Sequence, residues 1–266
     1  MAGESGAYRS FRSQTGAKAD EYGYCSTLTS PIITLVVGCD ARLFACHEDV
    51  LSISPFFAAA LKGQFYESTS KRVELPDEYV SFYNAQDAEL IPRARVPEIF
   101  SCVLEYLYKG DYYPRLLHDK RRNSWQLEDA QDANGRGPVE STVYHTGVGG
   151  EVLKDTVIYC TAEKFGLDEL KRLALRKQGL HTGIQVEVIL RSARFAYDNT
   201  PDQDAKLRAH FLALIIRSRK TFKRSGTMQM EMEIGGSKLF FDLFVAMCNH
   251  IDDIVDATNN RSPKFI

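Results

Sequence analysis

A proline inside an apolar run constrains this chain more than any other feature. From His47 to Thr69 the sequence reads HEDVLSISPFFAAALKGQFYEST. Val50, Leu51 and Ile53 give one turn of apolar face before Pro55, and Phe56, Phe57, Ala60 and Leu61 recur at helical spacing after it. One helix cannot run through both parts, because Pro55 has no N–H to donate and its ring clashes with the preceding turn. The stretch therefore predicts two short helices forming a hairpin. Ser54 supplies an N-cap hydroxyl, and Pro55 takes the first helical position, where a missing N–H costs nothing. Gly63 is placed to stop the second helix. Three alanines and the Phe-Phe pair let such helices approach closely and bury their faces. The stretch places no nucleophile beside a base, so it reads as packing or docking surface rather than catalytic apparatus.

The flanking segments supply something for the hairpin to pack on. Ile32 to Val37 is apolar and rich in β-branched residues, bounded by Pro31 and Gly38, which predicts a buried strand. Leu43 to Cys46 follows after a Gly-Cys-Asp turn, so the two form a β-hairpin. Lys71 to Asp77 predicts a third strand, ending at Pro76. Residues 79–95 read as an irregular insertion. From Val96 the helical period returns, with Phe100, Val103, Leu104 and Leu107 on one face, Pro97 at the start and Gly110 at the end. Residues 118–150 lose periodicity and gain Asp, Asn, Gly and charge, so they predict a long surface loop. Helices resume at Leu153. Gly166 stops the first and Asp168 caps the second. From Ile184 onward Val186, Ile189, Leu190, Ala193 and Tyr197 share one face, and Leu207, Phe211, Leu214 and Ile215 share another. MQMEMEIGG alternates in the manner of a strand. KLFFDLFVAMCNHI reads as a final helix.

Composition removes several function classes. The 266 residues carry a net charge of −2, without the basic surplus of a dedicated nucleic-acid binder. Cys25, Cys39, Cys46, Cys102, Cys160 and Cys248 are scattered with no CxxC pair, which predicts reduced intracellular thiols rather than a disulfide frame or a zinc site. Residues 1–30 are rich in Gly, Ser, Ala and Tyr without periodicity. They predict a mobile tail and contain no apolar segment of the secretory type. No apolar run is long enough to span a bilayer.

These segments together resemble a BTB/POZ domain. The resemblance rests on TLVVG, on RLFACHEDVLSISPFFAAALKGQFYEST, on KRVELPDE and on VPEIFSCVLEYLYKGDYY; YCTAEKFGLDELKRLAL is similar to that domain's last helix pair. AYDNTPDQDAKLR resembles the helical extension of many fungal BTB proteins. The match covers roughly Pro31 to Lys177 and is specific in combination. It implies an α+β fold, a helical cluster flanked by a short three-stranded sheet. The expected organisation is a tail at 1–30, the domain at 31–178 with insertions at 79–95 and 118–150, and a C-terminal helical extension at 179–266. It also implies protein–protein interaction without catalysis, cofactor or metal, in the cytoplasm or nucleus.

The chain departs from the family pattern at two positions. Many BTB domains place Asp just before the first strand and Lys or Arg directly after the shared His. Ile32 and Glu48 stand there instead. Loss of both charges together fits a paired interaction, since one buried charge alone is expensive. A partner that uses the charged pocket of transcriptional BTB dimers is therefore not expected. Those dimers also exchange an amphipathic N-terminal helix, for which residues 1–30 show no pattern.

Four local features invite a functional reading. His47 beside Cys46 lacks a second His/Cys cluster to complete a tetrahedral site, so a structural histidine is expected. PDE and LEDAQD are carboxylate-rich but have no nucleophile or phosphate loop nearby, and read as solvated surface. RSRKTFKR, Arg217 to Arg224, has the composition of an import signal, yet it follows a helix end where cations are favourable anyway. Phe65-Tyr66-Glu67 matches the hydrophobic-x-Glu element by which BTB adaptors dock a cullin scaffold. The plainer alternative is that Phe65 closes the core and Glu67 is solvated. The resemblance thus gives two expectations: an adaptor that presents a bound protein to a cullin-based ubiquitin ligase through Phe65, Tyr66 and Glu67, or a self-assembly module in the manner of channel tetramerisation domains.

Overall fold

A computed structural model describes residues 29–38, 41–62, 70–75, 96–128, 141–145 and 148–261. The architecture is mixed α+β. Strands β1 (Ile32–Val37), β2 (Arg42–His47) and β3 (Arg72–Leu75) form a sheet of order β2-β1-β3, with β1 antiparallel to β2 and parallel to β3. Its buried residues Ile33, Leu35, Val37, Cys46 and Val73 face the helices. The β2 and β3 assignments agree with the expected strands to within a residue or two on the described segments.

The Ser-Pro break behaves as expected. Helix α1 (Glu48–Leu51) ends before it and α2 (Pro55–Lys62) begins at the proline. Ser54 is fully buried. Its hydroxyl donates to the Phe165 carbonyl at 2.7 Å and accepts from the Phe57 N–H at 3.5 Å. Phe57 is sealed among aromatic rings, 4.9 Å from Phe165 and 6.3 Å from Phe100 between centroids. Helix α3 (Val96–Lys109) supplies Phe100, Val103 and Leu107 to this core and closes at Gly110, whose φ is +73°. Helix α4 (Lys154–Phe165) ends at Gly166 with φ +68°, and a Cβ there would sit 3.2 Å from the Pro55 ring. Glycine at 166 therefore satisfies both the turn and the approach of α2. Helix α5 (Asp168–Gln178) begins at Asp168, which lies in the first turn rather than at the cap.

One expectation fails in its description. Residues 118–150 are not simply a surface loop: β4 (Leu116–Asp119) pairs with β5 (Ser124–Leu127), and β6 (Thr142–His145) pairs with β7 (Gly150–Leu153), both antiparallel. Four-residue strands are too short for a period-2 pattern to stand out, and the turn between β4 and β5, closed by Asn123 at φ +48°, is charged enough to look like loop. Trp125 stacks on His118 at 4.4 Å and lies under the Arg176 guanidinium, which ties this hairpin to α5. Strands β6 and β7 place Val143 and Val152 in the main core.

The C-terminal part comprises α6 (Val186–Asn199), α7 (Lys206–Arg217), the single turn α8 (Arg219–Phe222), α9 (Gly226–Ile234) and α10 (Leu239–Arg261). Val188, Ala193, Phe195, Leu207 and Phe211 join the same buried cluster as the sheet and α3 to α5. The alternating MQMEMEI segment is helical. Met, Gln and Glu are good helix formers, and Glu231 is buried against Arg194 of α6 at 2.8 Å.

His145 at the end of β6 is buried edge-on to Phe195, 4.6 Å between rings. Burial pushes its imidazole from the ordinary 6.5 down to about 4. Between those values the unfolded chain binds a proton that the folded chain refuses. The contribution to stability is whole above pH 6.5 and declines by about 1.4 kcal/mol per pH unit as pH falls toward 4, roughly 3 kcal/mol in all. Denaturant titrations at neutral pH and near pH 4.5 should show His145→Gln losing less stability in acid than the native chain. Equal acid losses would show that His145 is not the sensitive group.

Candidate protein-docking surface

The residues expected to dock a cullin, Phe65, Tyr66 and Glu67, lie outside the described residues, as do Gly63 and the insertion at 79–95. The described chain leaves α2 at Lys62 and returns at Ser70. The two departures from the BTB pattern are both described. Ile32 is mostly exposed at the start of β1. Glu48 receives Lys71 at 2.8 Å, and its N–H donates to the Pro31 carbonyl at 2.9 Å. Glu48 is thus neutralised locally, without the missing family charge. His47 donates its N–H to the Tyr108 hydroxyl at 2.9 Å, and its Nδ1 meets the same hydroxyl at 2.8 Å. That places it as a structural link between β2 and α3. No group of three His, Cys, Asp or Glu side chains among the described residues is arranged to hold a metal ion.

Chemistry-bearing groups do gather at one place, where the segment after α3 crosses α4 and α5. The Lys177 ammonium donates to the Asp111 carboxylate, to the Tyr112 carbonyl at 2.5 Å and to the Pro114 carbonyl at 2.7 Å, and lies 3.6 Å from the centre of the Tyr112 ring. The Tyr112 hydroxyl donates to Asp155 Oδ1 at 2.6 Å, and His181 Nε2 meets Asp155 Oδ2 at 2.6 Å. Burial and the Asp155 charge push the Tyr112 phenol well above its ordinary range. Burial also lowers Lys177, against the pull of Asp111. Lys177, Tyr112 and Asp155 are buried, while Asp111 and His181 keep partial exposure at the edge of the network. Its work is to clamp the chain after α3 onto the α4–α5 pair. A second clamp joins Tyr159 and Lys171 to Asp204 at 2.8 and 2.7 Å, holding the segment before α7 on the same pair.

Among the described residues, α10 carries an accessible apolar face. Leu239 and Leu243 anchor the first turns of α10, Leu243 in one small buried cluster with Leu190, Ile215 and Phe222. From Phe244 to Thr258 no side chain is buried. Yet Phe241 is 70% exposed, Phe244 65% and Ile251 56%, and Met247, Ile254 and Val255 are exposed as well. At 100° per residue Phe244, Met247, Cys248, Ile251, Ile254 and Val255 fall in a stripe about 120° wide, while Asp242, Asp252, Asp253 and Asp256 fall on the other side. Phe244 to Arg261 extends about 27 Å at 1.5 Å per residue. Met230, Met232 and Ile234 of the neighbouring α9 add exposed apolar surface. A run of exposed apolar side chains this long on one helix face is a candidate contact site.

The sequence announced α10 as a helix but not its exposure. The available signal was the number of apolar residues: Leu239, Leu243 and their neighbours already supply a core-facing stripe, so Phe244, Met247, Ile251 and Ile254 form a second one. No described helix is long and apolar enough to cross a membrane. No protein-family model matches the sequence, and no curated protein matches it.

Proposed function

We propose that this chain is a non-catalytic protein–protein interaction module of the BTB/POZ type, acting as an adaptor between a bound protein and a cullin scaffold. The observation that carries the interaction reading is the exposed apolar stripe of α10. The β2-β1-β3 sheet, the α1–α2 hairpin around Ser54-Pro55 and the helix pair meeting at Gly166 are in keeping with the fold that the sequence motifs imply. The adaptor form of the reading rests on Phe65, Tyr66 and Glu67 in the sequence. There the apolar ring fills a groove on the cullin, and the carboxylate accepts hydrogen bonds from it.

Capture of a purified cullin N-terminal region tests the adaptor form. Truncating interface anchors of this kind costs about 2 kcal/mol or more, over tenfold in affinity. Glu67→Ala should weaken capture by that factor with an unchanged circular dichroism spectrum. It is a cleaner probe than Phe65→Ala, because Phe65 is also a candidate core residue. A native chain that does not bind the cullin, or a Glu67→Ala chain that binds as well as native, removes the adaptor role and leaves the plain interaction module.

A further inference from the structure

We infer that the partner of α10 is α10 of a second copy of this chain, the two helices lying antiparallel. The inference deepens the interaction-module reading, on which it rests, and is independent of cullin docking.

Spacing is the first ground. Phe244, Met247, Ile251 and Ile254 alternate by three and four residues, the seam by which one helix packs along another. An extended peptide, whose side chains repeat every two residues, does not match that spacing. The positions flanking the seam are Cys248, His250, Val255 and Ala257, none of them a carboxylate or a Lys or Arg. A second copy therefore meets no like charge across the contact. A foreign helix chosen by charge would need complementary charges on those flanks, and they are absent. The area also fits. Phe244, Met247, Ile251, Ile254 and Val255 of the stripe are 41 to 65% exposed, and Phe241 beside it 70%, a large share of the ~800 Å² each partner gives to a standard interface.

Charge sets the direction. Asp252, Asp253 and Asp256 crowd the C-terminal part of α10, where the helix dipole is already negative. Parallel pairing would align the two helix dipoles and set both negative ends side by side, whereas antiparallel pairing opposes the dipoles. The opposite end of α10 lies near a cationic region, because Leu243 shares a small buried cluster with Phe222, the last residue of α8. Arg219, Lys220, Lys223 and Arg224 around it are exposed. Antiparallel pairing about Cys248–Asn249 carries the acidic end of each copy toward the basic end of the other. The RSRKTFKR run then has an electrostatic role in assembly, and the acidic back of α10 does not suit an anionic lipid surface.

Sedimentation equilibrium of the full chain from about 1 to 100 µM tests the pairing. The expected species has twice the 30.0 kDa chain mass. Ile251→Asp with Ile254→Asp should return it to the single-chain mass with the chain still soluble and cooperatively folded, since both side chains lie outside the core. A spin label at Thr258→Cys, with Cys25, Cys39 and Cys248 changed to Ser, should give an intermolecular distance of about 27 Å or more, against roughly 10 Å for parallel helices, at 1.5 Å rise per residue. A native chain that stays monomeric at 100 µM overturns the inference, as does a dimer that survives the double substitution or shows the short distance. A monomer that nevertheless binds another protein through α10, loss of binding tracking Ile251→Asp, overturns self-pairing and leaves the interaction module standing.

Discussion

Phe57→Asp is expected to leave the chain insoluble. Phe57 has no solvent exposure and touches the rings of Phe56, Phe100 and Phe165. A carboxylate there has neither water nor a cation within the aromatic cluster, a cost of several kcal/mol. Total stability of a chain of this kind is about 5–15 kcal/mol, so one such change consumes much of it. Phe57→Leu keeps an apolar group of similar volume and should remain soluble with a lowered melting temperature. Expression in the soluble fraction followed by thermal melting separates the two. A soluble Phe57→Asp chain with the native melting curve would show that the α1–α2 hairpin does not pack as described.

Lys177→Met should be the next largest effect. The ammonium is buried and serves Asp111 and two backbone carbonyls, those of Tyr112 and Pro114. Methionine fills most of the volume but donates nothing. Asp111 loses its cation and both carbonyls lose a donor. Breaking one side of a buried pair costs about 3–5 kcal/mol, or a fall of roughly 10 °C in melting temperature for a chain of this size. Adding Asp111→Asn to Lys177→Met should recover part of the loss, because the stranded charge is then gone. If Lys177→Met melts like the native chain, the network is not what fixes the segment after α3.

What the sequence displayed was decided by how local each signal is. Pro55, Gly110 and Gly166 act through their own backbone, so the breaks they make were legible residue by residue. The β1–β2 pairing was legible because an apolar run rich in β-branched residues is bounded by Pro31 and Gly38 and followed by a turn and a second short apolar run. The β4–β5 and β6–β7 hairpins were not, since their partners are only four residues long and their order depends on contacts such as Arg176 over Trp125 and Val143 in the main core. Glu231 is a harder case. Its burial depends on Arg194, 37 residues earlier, and no local pattern connects them. The candidate docking residues Phe65, Tyr66 and Glu67 were legible only as a motif. The stripe on α10 was readable in its letters, but its exposure depends on where the rest of the chain stops covering it.

Hydrogen exchange along α10 tests the central claim most directly, that the Phe244–Val255 stripe is a contact surface occupied by a second copy. A free helix of this length with no packed face is marginal in water, so its amides exchange quickly when uncovered. Exchange should be slow from Phe244 to Thr258 at about 50 µM, accelerate on dilution below the dissociation constant, and be fast throughout in the Ile251→Asp, Ile254→Asp chain, while the amides of β1 and α4 stay protected in every sample. Fast exchange over the same residues at every concentration of the native chain would contradict the account.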